Sequence, residues 1–177
     1  MIVKKKLLFV LIGDDKTGKT TLQKLLVHRL NGRMYKRLDI NKGVNITHPE
    51  MKRKYSKISF CSRSYQELIE KYGSVDEYFK DHFNEQRIAF ISSHLNVKNI
   101  EDMIRNGKER YYNVCGVFFS NSIETNRAKN AEISILNWDE RLVIENPFLK
   151  SDKEIKKQLG KIADNLTALL INKANMS

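Results

Sequence analysis

Cysteine is scarce: Cys61 and Cys115 are the only two in 177 residues. That excludes a disulfide framework and a cysteine-rich metal site, and it suits a reducing cytoplasm. The four histidines, His28, His48, His82 and His94, show no metal-ligand spacing, so no zinc-type centre is expected. No apolar run approaches the length of a bilayer span, and no membrane partner is expected. The start KKKLLFVLIG has the basic-then-apolar order of a secretory leader. Its apolar run is short, no small-residue cleavage site follows, and Asp14-Asp15 come directly after it. A buried strand is expected there instead, in a cytoplasmic protein. Repeats, linkers and low-complexity stretches are missing too, so residues 1–177 are expected to form a single domain with a substantial core.

Positive charge is in surplus. Lys and Arg number 32 against 21 Asp and Glu, a formal net charge of +11. Such a surplus points to anionic partners, whether nucleotides, nucleic acid or acidic surfaces. A solvated lysine-rich surface is the plain alternative, because the cations are spread along the chain. The densest cluster is MKRKYSK, Met51 to Lys57. The lysines of KSDKEIKKQLGK near the C-terminus are explained by an amphipathic helix.

Strand-like and helical segments alternate, which predicts a parallel sheet flanked by helices. Strands are expected at Lys6–Ile12, Tyr35–Ile40, Ile58–Cys61, Arg87–His94, Val114–Asn121 and Arg141–Pro147, those near 35 and 58 being short. Leu22, Leu25, Leu26 and Leu30 give the first helix one apolar face, with Asn31-Gly32 as its stop. Residues 41–57 read as a loop or a lid-like excursion, and a helix ending at Gly73 follows the strand at Ile58. Ser74 to Glu77 and Ser151 to Glu154 are capping boxes that open further helices. Ile100, Met103 and Ile104 mark another helix, ending near Gly107. Residues 122–139 are polar and helical, and Trp138 and the other aromatics read as core.

At the end of the first strand stands GDDKTGKT, Gly13 to Thr20. This is G-x-x-x-x-G-K-[ST], the phosphate-cradling loop between a strand and a helix. Phosphates are anions, and a helix N-terminus offers unpaired N–H groups and a positive dipole end to receive them. Gly13 lets the chain turn off the strand, and Gly18 lets backbone approach the phosphates. Asp15, Lys16, Thr17 and Thr21 complete the loop. Lys19 is expected on the β- and γ-phosphates, and the Thr20 hydroxyl on Mg²⁺.

Two further absences narrow the use of that loop. A GTPase would carry a D-x-x-G segment downstream of the loop and an N-K-x-D segment, and neither follows it. A hydrolytic motor would end a central strand in Asp-Glu, with the Glu polarising water. Here the strand ends in Ser92-Ser93-His94. Transfer to an acceptor other than water is therefore the expected chemistry.

In the order GDDKTGKTTL, RLDIN, FISSH, VFFSN, ETNRAKN and VIENP, the chain resembles the nucleoside/nucleotide kinase-like branch of the P-loop superfamily. That branch includes nucleoside monophosphate kinases, gluconate- and shikimate-type kinases, chloramphenicol phosphotransferases and polynucleotide 5′-kinases. The resemblance implies an α/β fold of three layers, with a parallel sheet of about five strands, an acceptor-binding insert over 41–84 and a helical lid over 122–139. It implies ATP and Mg²⁺ as cofactors and a nucleotide-like acceptor, first of all a (deoxy)nucleoside monophosphate. A polynucleotide 5′-end, or a non-catalytic module that binds ATP and nucleic acid, stands as the alternative. The resemblance also assigns roles. Asp39 would orient the acceptor or the Mg²⁺ shell, and Arg127 would close over the transferring phosphoryl group, with Lys129 a lesser lid candidate. Arg63 in CSRSYQ would contact substrate phosphate, with Arg53 a lesser candidate. Asp39 as an ordinary strand-end residue and Arg127 as a surface residue are the plain alternatives. The segment around Glu145 and Asn146 would pack backbone against the base. CSRS lacks the acidic residue that the matching segment of such kinases carries.

Overall fold

The computed structural model describes residues 6–38 and 41–176. From the N-terminal side, β1 (Lys6–Ile12) leads through a loop to α1 (Lys19–Asn31), followed by β2 (Lys42–Asn45) and β3 (Lys57–Ser64). A 3-10 turn over Tyr65–Leu68 then runs into α2 (Ile69–Tyr72), and α3 (Val75–Glu77) runs into a π turn over Tyr78–His82. Next come β4 (Ile88–Ser93), α4 (Val97–Glu109) and β5 (Tyr112–Phe119). The last elements are α5 (Ser120–Thr125), α6 (Arg127–Ser134), β6 (Glu140–Ile144) and α7 (Asp152–Asn175). The six strands form one sheet in the order β2-β3-β4-β1-β5-β6. β3, β4, β1, β5 and β6 run parallel, and β2 lies antiparallel to β3 at the edge.

The continuous apolar run of β1 fits a strand covered on both faces. Its residues alternate between two cores. Leu7, Phe9 and Leu11 join Leu22, Leu26, Leu30, Ala163 and Leu170 under α1 and α7. Leu8, Val10 and Ile12 join Ile100, Met103, Ile104, Ile133 and Trp138 on the other face. Caps fix the helix ends. Gly32, left-handed at φ 76°, donates its N–H to the His28 carbonyl and stops α1. Ser151 accepts from the Glu154 N–H at 3.2 Å and starts α7. Ser74 does the same for Glu77 at 3.2 Å. Trp138 is core, its indole N–H donating to the Ile133 carbonyl at 2.9 Å.

Three expectations are corrected. The second strand is Lys42–Asn45, not Tyr35–Ile40. Residues 35–38 are not strand, and Asp39 and Ile40 lie outside the described residues. Asn41 is left-handed at φ 59° and donates its N–H to the Phe60 carbonyl, which brings the following residues alongside β3. The sheet therefore has five parallel strands and one antiparallel edge strand. The segment 46–56 is not a lid-like excursion, because Met51 and Tyr55 are buried in the core under α1 and α7. β3 runs past Cys61 to Ser64, through a register shift between Phe60 and Ser64. Its second half is Ser-Arg-Ser, and buried serines give no apolar alternation to read. No helix among the described residues is long and apolar enough to cross a membrane.

α4 packs tightly on the sheet at Gly107, where a Cβ would stand 2.8 Å from Leu8 Cδ2 and 2.8 Å from Val114 Cγ2. Gly107→Val is expected to overpack this contact and to lower stability by about 1–3 kcal/mol. A thermal or urea melt that leaves the midpoint unmoved would show that the helix can retreat freely.

Candidate functional site

The loop from Gly13 to Gly18 leaves the carboxyl end of β1, where ligands gather in open parallel sheets. Its shape is set by backbone chemistry. The Gly13 N–H donates to the Ser93 carbonyl at 3.2 Å, which ties the loop to the end of β4. A Cβ on Gly13 would stand 2.9 Å from Thr17 Oγ1. Lys16 and Gly18 are both left-handed, at φ 62° and 102°. α7 closes the back of the turn, with Leu159 methyls 3.2 Å from where a Gly18 Cβ would lie.

Neighbouring strand ends hold the loop from outside. The Thr17 carbonyl accepts from Asn146 Nδ2 at 2.9 Å and from Asn121 Nδ2 at 3.4 Å. Thr17 Oγ1 donates to the Asp14 carbonyl at 2.9 Å. The Asp14 carboxylate accepts from Asn126 Nδ2 at 2.6 Å and Ser122 Oγ at 3.3 Å. Asn146 is therefore a loop-holding side chain, in the segment where the family resemblance implied mostly main-chain packing against a base.

Lys19 is buried beneath the loop, its ammonium donating to the Asp14 carbonyl at 2.7 Å and to the Gly13 carbonyl. Burial lowers its pKa to about 8, and the carboxylates of Asp15, Asp14 and Glu67 pull in the opposite direction. Thr20 Oγ1 donates to the Ser62 carbonyl at 2.9 Å, so the first turn of α1 is joined to β3.

Above the loop lies a cleft of about 220 Å³ lined by residues 15–21, Ser64, Glu67, Ile155 and Leu159. A larger cleft of about 440 Å³ lies between β6 and α7. Its walls are mainly Leu, Val and Ile, whereas the smaller one gathers ammonium, hydroxyl and carboxylate groups. Chemistry rather than volume singles out the smaller cleft. His94 Nε2 stands 3.5 Å from both Asp15 Oδ1 and Glu67 Oε1, and the three ligand atoms lie within 4.8 Å of one another. Gln66 positions this end of β4, donating to Ser93 Oγ at 3.0 Å and accepting from the His94 N–H at 2.9 Å. Gln23 does the same for Ser92, donating to its hydroxyl at 2.7 Å.

The structure thus brings Asp15, Lys16, Thr17, Gly18, Lys19, Thr20 and Thr21 together around one cleft, with Gly13 at the start of the loop behind it, and adds Glu67, which sequence reasoning missed. The signal was present: Ser64 and Glu67 form a capping box in which the Ser64 N–H donates to Glu67 Oε1 at 3.3 Å. Arg63 is exposed on β3 between Ser62 and Ser64, close to Thr20's partner carbonyl. Arg127 is exposed at the start of α6 and has no ion-pair partner among the described residues. The loop is met instead by its neighbour Asn126. Lys129 pairs with Glu132 at 3.0 Å on the helix surface. Arg53 is not brought to the site, because the turn 52–54 lines a cleft with Lys6 and Arg87 at the amino ends of the strands. Asp39 lies outside the described residues.

No protein-family model matches the chain, and neither a curated protein nor a solved structure is found similar to it.

An anion entering the loop needs Lys19 protonated. Above its lowered pKa the free protein must take up a proton to bind, so affinity falls as pH rises through about 8. Titrating ATP against the protein across that range, in chelator, is expected to show this loss. Lys19→Arg, whose charge persists, should flatten it. An unchanged profile would separate Lys19 from the anion.

Proposed function

We propose that the chain is a phosphotransferase that takes ATP at the Gly13–Gly18 loop and passes the γ-phosphoryl group to a (deoxy)nucleoside monophosphate. The observation that carries this reading is the buried Lys19 ammonium beneath a strand-to-helix loop, with hydroxyl and carboxylate groups on the same cleft. Thr20 Oγ1, Asp15 and Glu67 are hard oxygen donors and fit Mg²⁺. Mg²⁺ there would neutralise charge on the phosphate oxygens.

The residues divide the work by position. Lys19 exchanges its carbonyl partners for phosphate oxygens, and the unpaired N–H groups of the first turn of α1 add to it. An acceptor phosphate oxygen attacks the γ-phosphorus. The new P–O bond forms as the bond from the γ-phosphorus to the β–γ bridging oxygen breaks, and ADP leaves with that oxygen. Arg63 is assigned to the acceptor phosphate and Arg127 to the transferring group, since its neighbour already touches the loop. Glu67, fixed by its cap and by His94, orients the cation shell on the acceptor side.

Label transfer tests this reading. Incubation with γ-labelled ATP and a panel of nucleoside monophosphates and 5′-hydroxyl oligonucleotides is expected to label a monophosphate. Lys19→Ala should abolish transfer, and Glu67→Gln should reduce it by about 10²-fold. Asp39→Asn in the same assay reads the share of Asp39. ATP hydrolysis with no labelled acceptor, or full activity in Lys19→Ala, would sink the proposal. Label on oligonucleotide ends alone would move it to the polynucleotide alternative.

A further inference from the structure

The amino-terminal edge of the sheet, opposite the Gly13–Gly18 loop, carries different chemistry. The neighbouring parallel strands β3, β4, β1 and β5 begin there at Lys57, Ile88, Lys6 and Tyr112. Lys57, Arg87, Lys6 and Tyr111 therefore stand in a row across three strand intervals, about 14 Å at ordinary spacing. The turn Lys52-Arg53-Lys54 walls a cleft of about 380 Å³ along this row, and Lys6, Lys57 and Arg87 line it too. Arg87 holds the turn in place, donating to the Lys54 carbonyl at 3.4 Å.

Charge at this cleft is one-sided. Glu85 is the one carboxylate in its lining, and Lys6 is paired with it. Lys52, Arg53 and Lys57 are exposed and have no ion-pair partner among the described residues. Three such cations on one cleft repel one another, and an anion bridging them removes that cost.

The end of the row adds an independent observation. Tyr111 is 85% exposed and sits at φ 63°, a left-handed conformation that bulky residues rarely adopt. The turn that presents it is built, with Tyr111 N–H donating to the Lys108 carbonyl at 2.9 Å. Lys6 Nζ donates to the adjacent Arg110 carbonyl at 3.2 Å, so cation and ring share one corner of the edge. A lone phosphate would leave the ring and the length of the row unused. An anionic membrane would call for a broad apolar face, and one ring does not make one.

We propose that this edge binds single-stranded nucleic acid, with backbone phosphates on Lys52, Arg53 and Lys57 and a base stacked on Tyr111. The proposal does not depend on phosphoryl transfer at the other edge.

Fluorescence anisotropy with a labelled oligothymidylate tests it on the full chain, with melting curves as the check on folding. Binding is expected to weaken with salt at a log–log slope of about −2, the value for three phosphates on a single strand. Combined Lys52→Glu, Arg53→Glu and Lys57→Glu should lose at least about tenfold in affinity. Tyr111→Ala should lose about fivefold or more, and Tyr111→Phe should bind like the unaltered chain. As a control for net charge, combined Lys153→Glu, Lys156→Glu and Lys157→Glu on α7 should leave binding within about twofold, because it lies outside the edge. Lys19→Ala should also bind normally. Absence of binding, a flat salt response, or equal loss in the α7 variant would overturn the proposal. So would dependence on Lys19, or equal capture of polyglutamate or phosphatidylserine vesicles with no effect of Tyr111.

Discussion

A strand buried on both faces can present nothing along its length, so β1 confines its chemistry to its two ends. That constraint organises the molecule. Leu7 to Ile12 are spent on two cores. Where the strand leaves them, the chain must turn sharply, and Gly13 and the left-handed Gly18 provide that turn. The turn delivers the first residues of α1, and with them Lys19 and Thr20, to one edge of the sheet. The strand's other end delivers Lys6 to the opposite edge. Both edges are polar because the middle is not.

The carboxyl edge is held by amides and hydroxyls more than by charge pairs. Asn121 reaches the loop from α5, Asn126 from the junction of α5 and α6, and Asn146 from just past β6, while Gln23 and Gln66 fix the end of β4. Neutral groups suit this role because they orient backbone carbonyls without adding charge where an anion is expected. The carboxylates of Asp15 and Glu67 sit beside His94, and that of Asp14 is turned to Asn126 and Ser122.

Much of this was legible in the chain because the strongest signals are local. The apolar run before Gly13, the leucine face of α1, the Ser74 and Ser151 caps and the stop at Gly32 each depend on a few adjacent residues, and each was found where expected. The edge strand Lys42–Asn45 was not legible, because an edge strand with one partner needs no apolar alternation, and Lys-Gly-Val-Asn has none. Arg53 is expected on the substrate together with Arg63, and only the folding of segment 46–56 places it at the amino edge of the sheet. Glu67 was missed although its capping box was in plain view. A cap explains a carboxylate locally, and nothing local says that the same oxygen looks onto Asp15 and His94.

The clamp on Thr17 also bears on how the molecule is made. Asn146 meets the Thr17 carbonyl across 129 residues of chain, and Leu159 backs Gly18 from farther still. Closing a loop of that length carries an entropic cost that only the docking of β6 and α7 offsets. A nascent chain can form β1 and the α1 helix early, yet the turn between them has no outer wall until β6 and α7 have been synthesised. The segment that reads most plainly in the sequence is thus among the last to acquire its final shape.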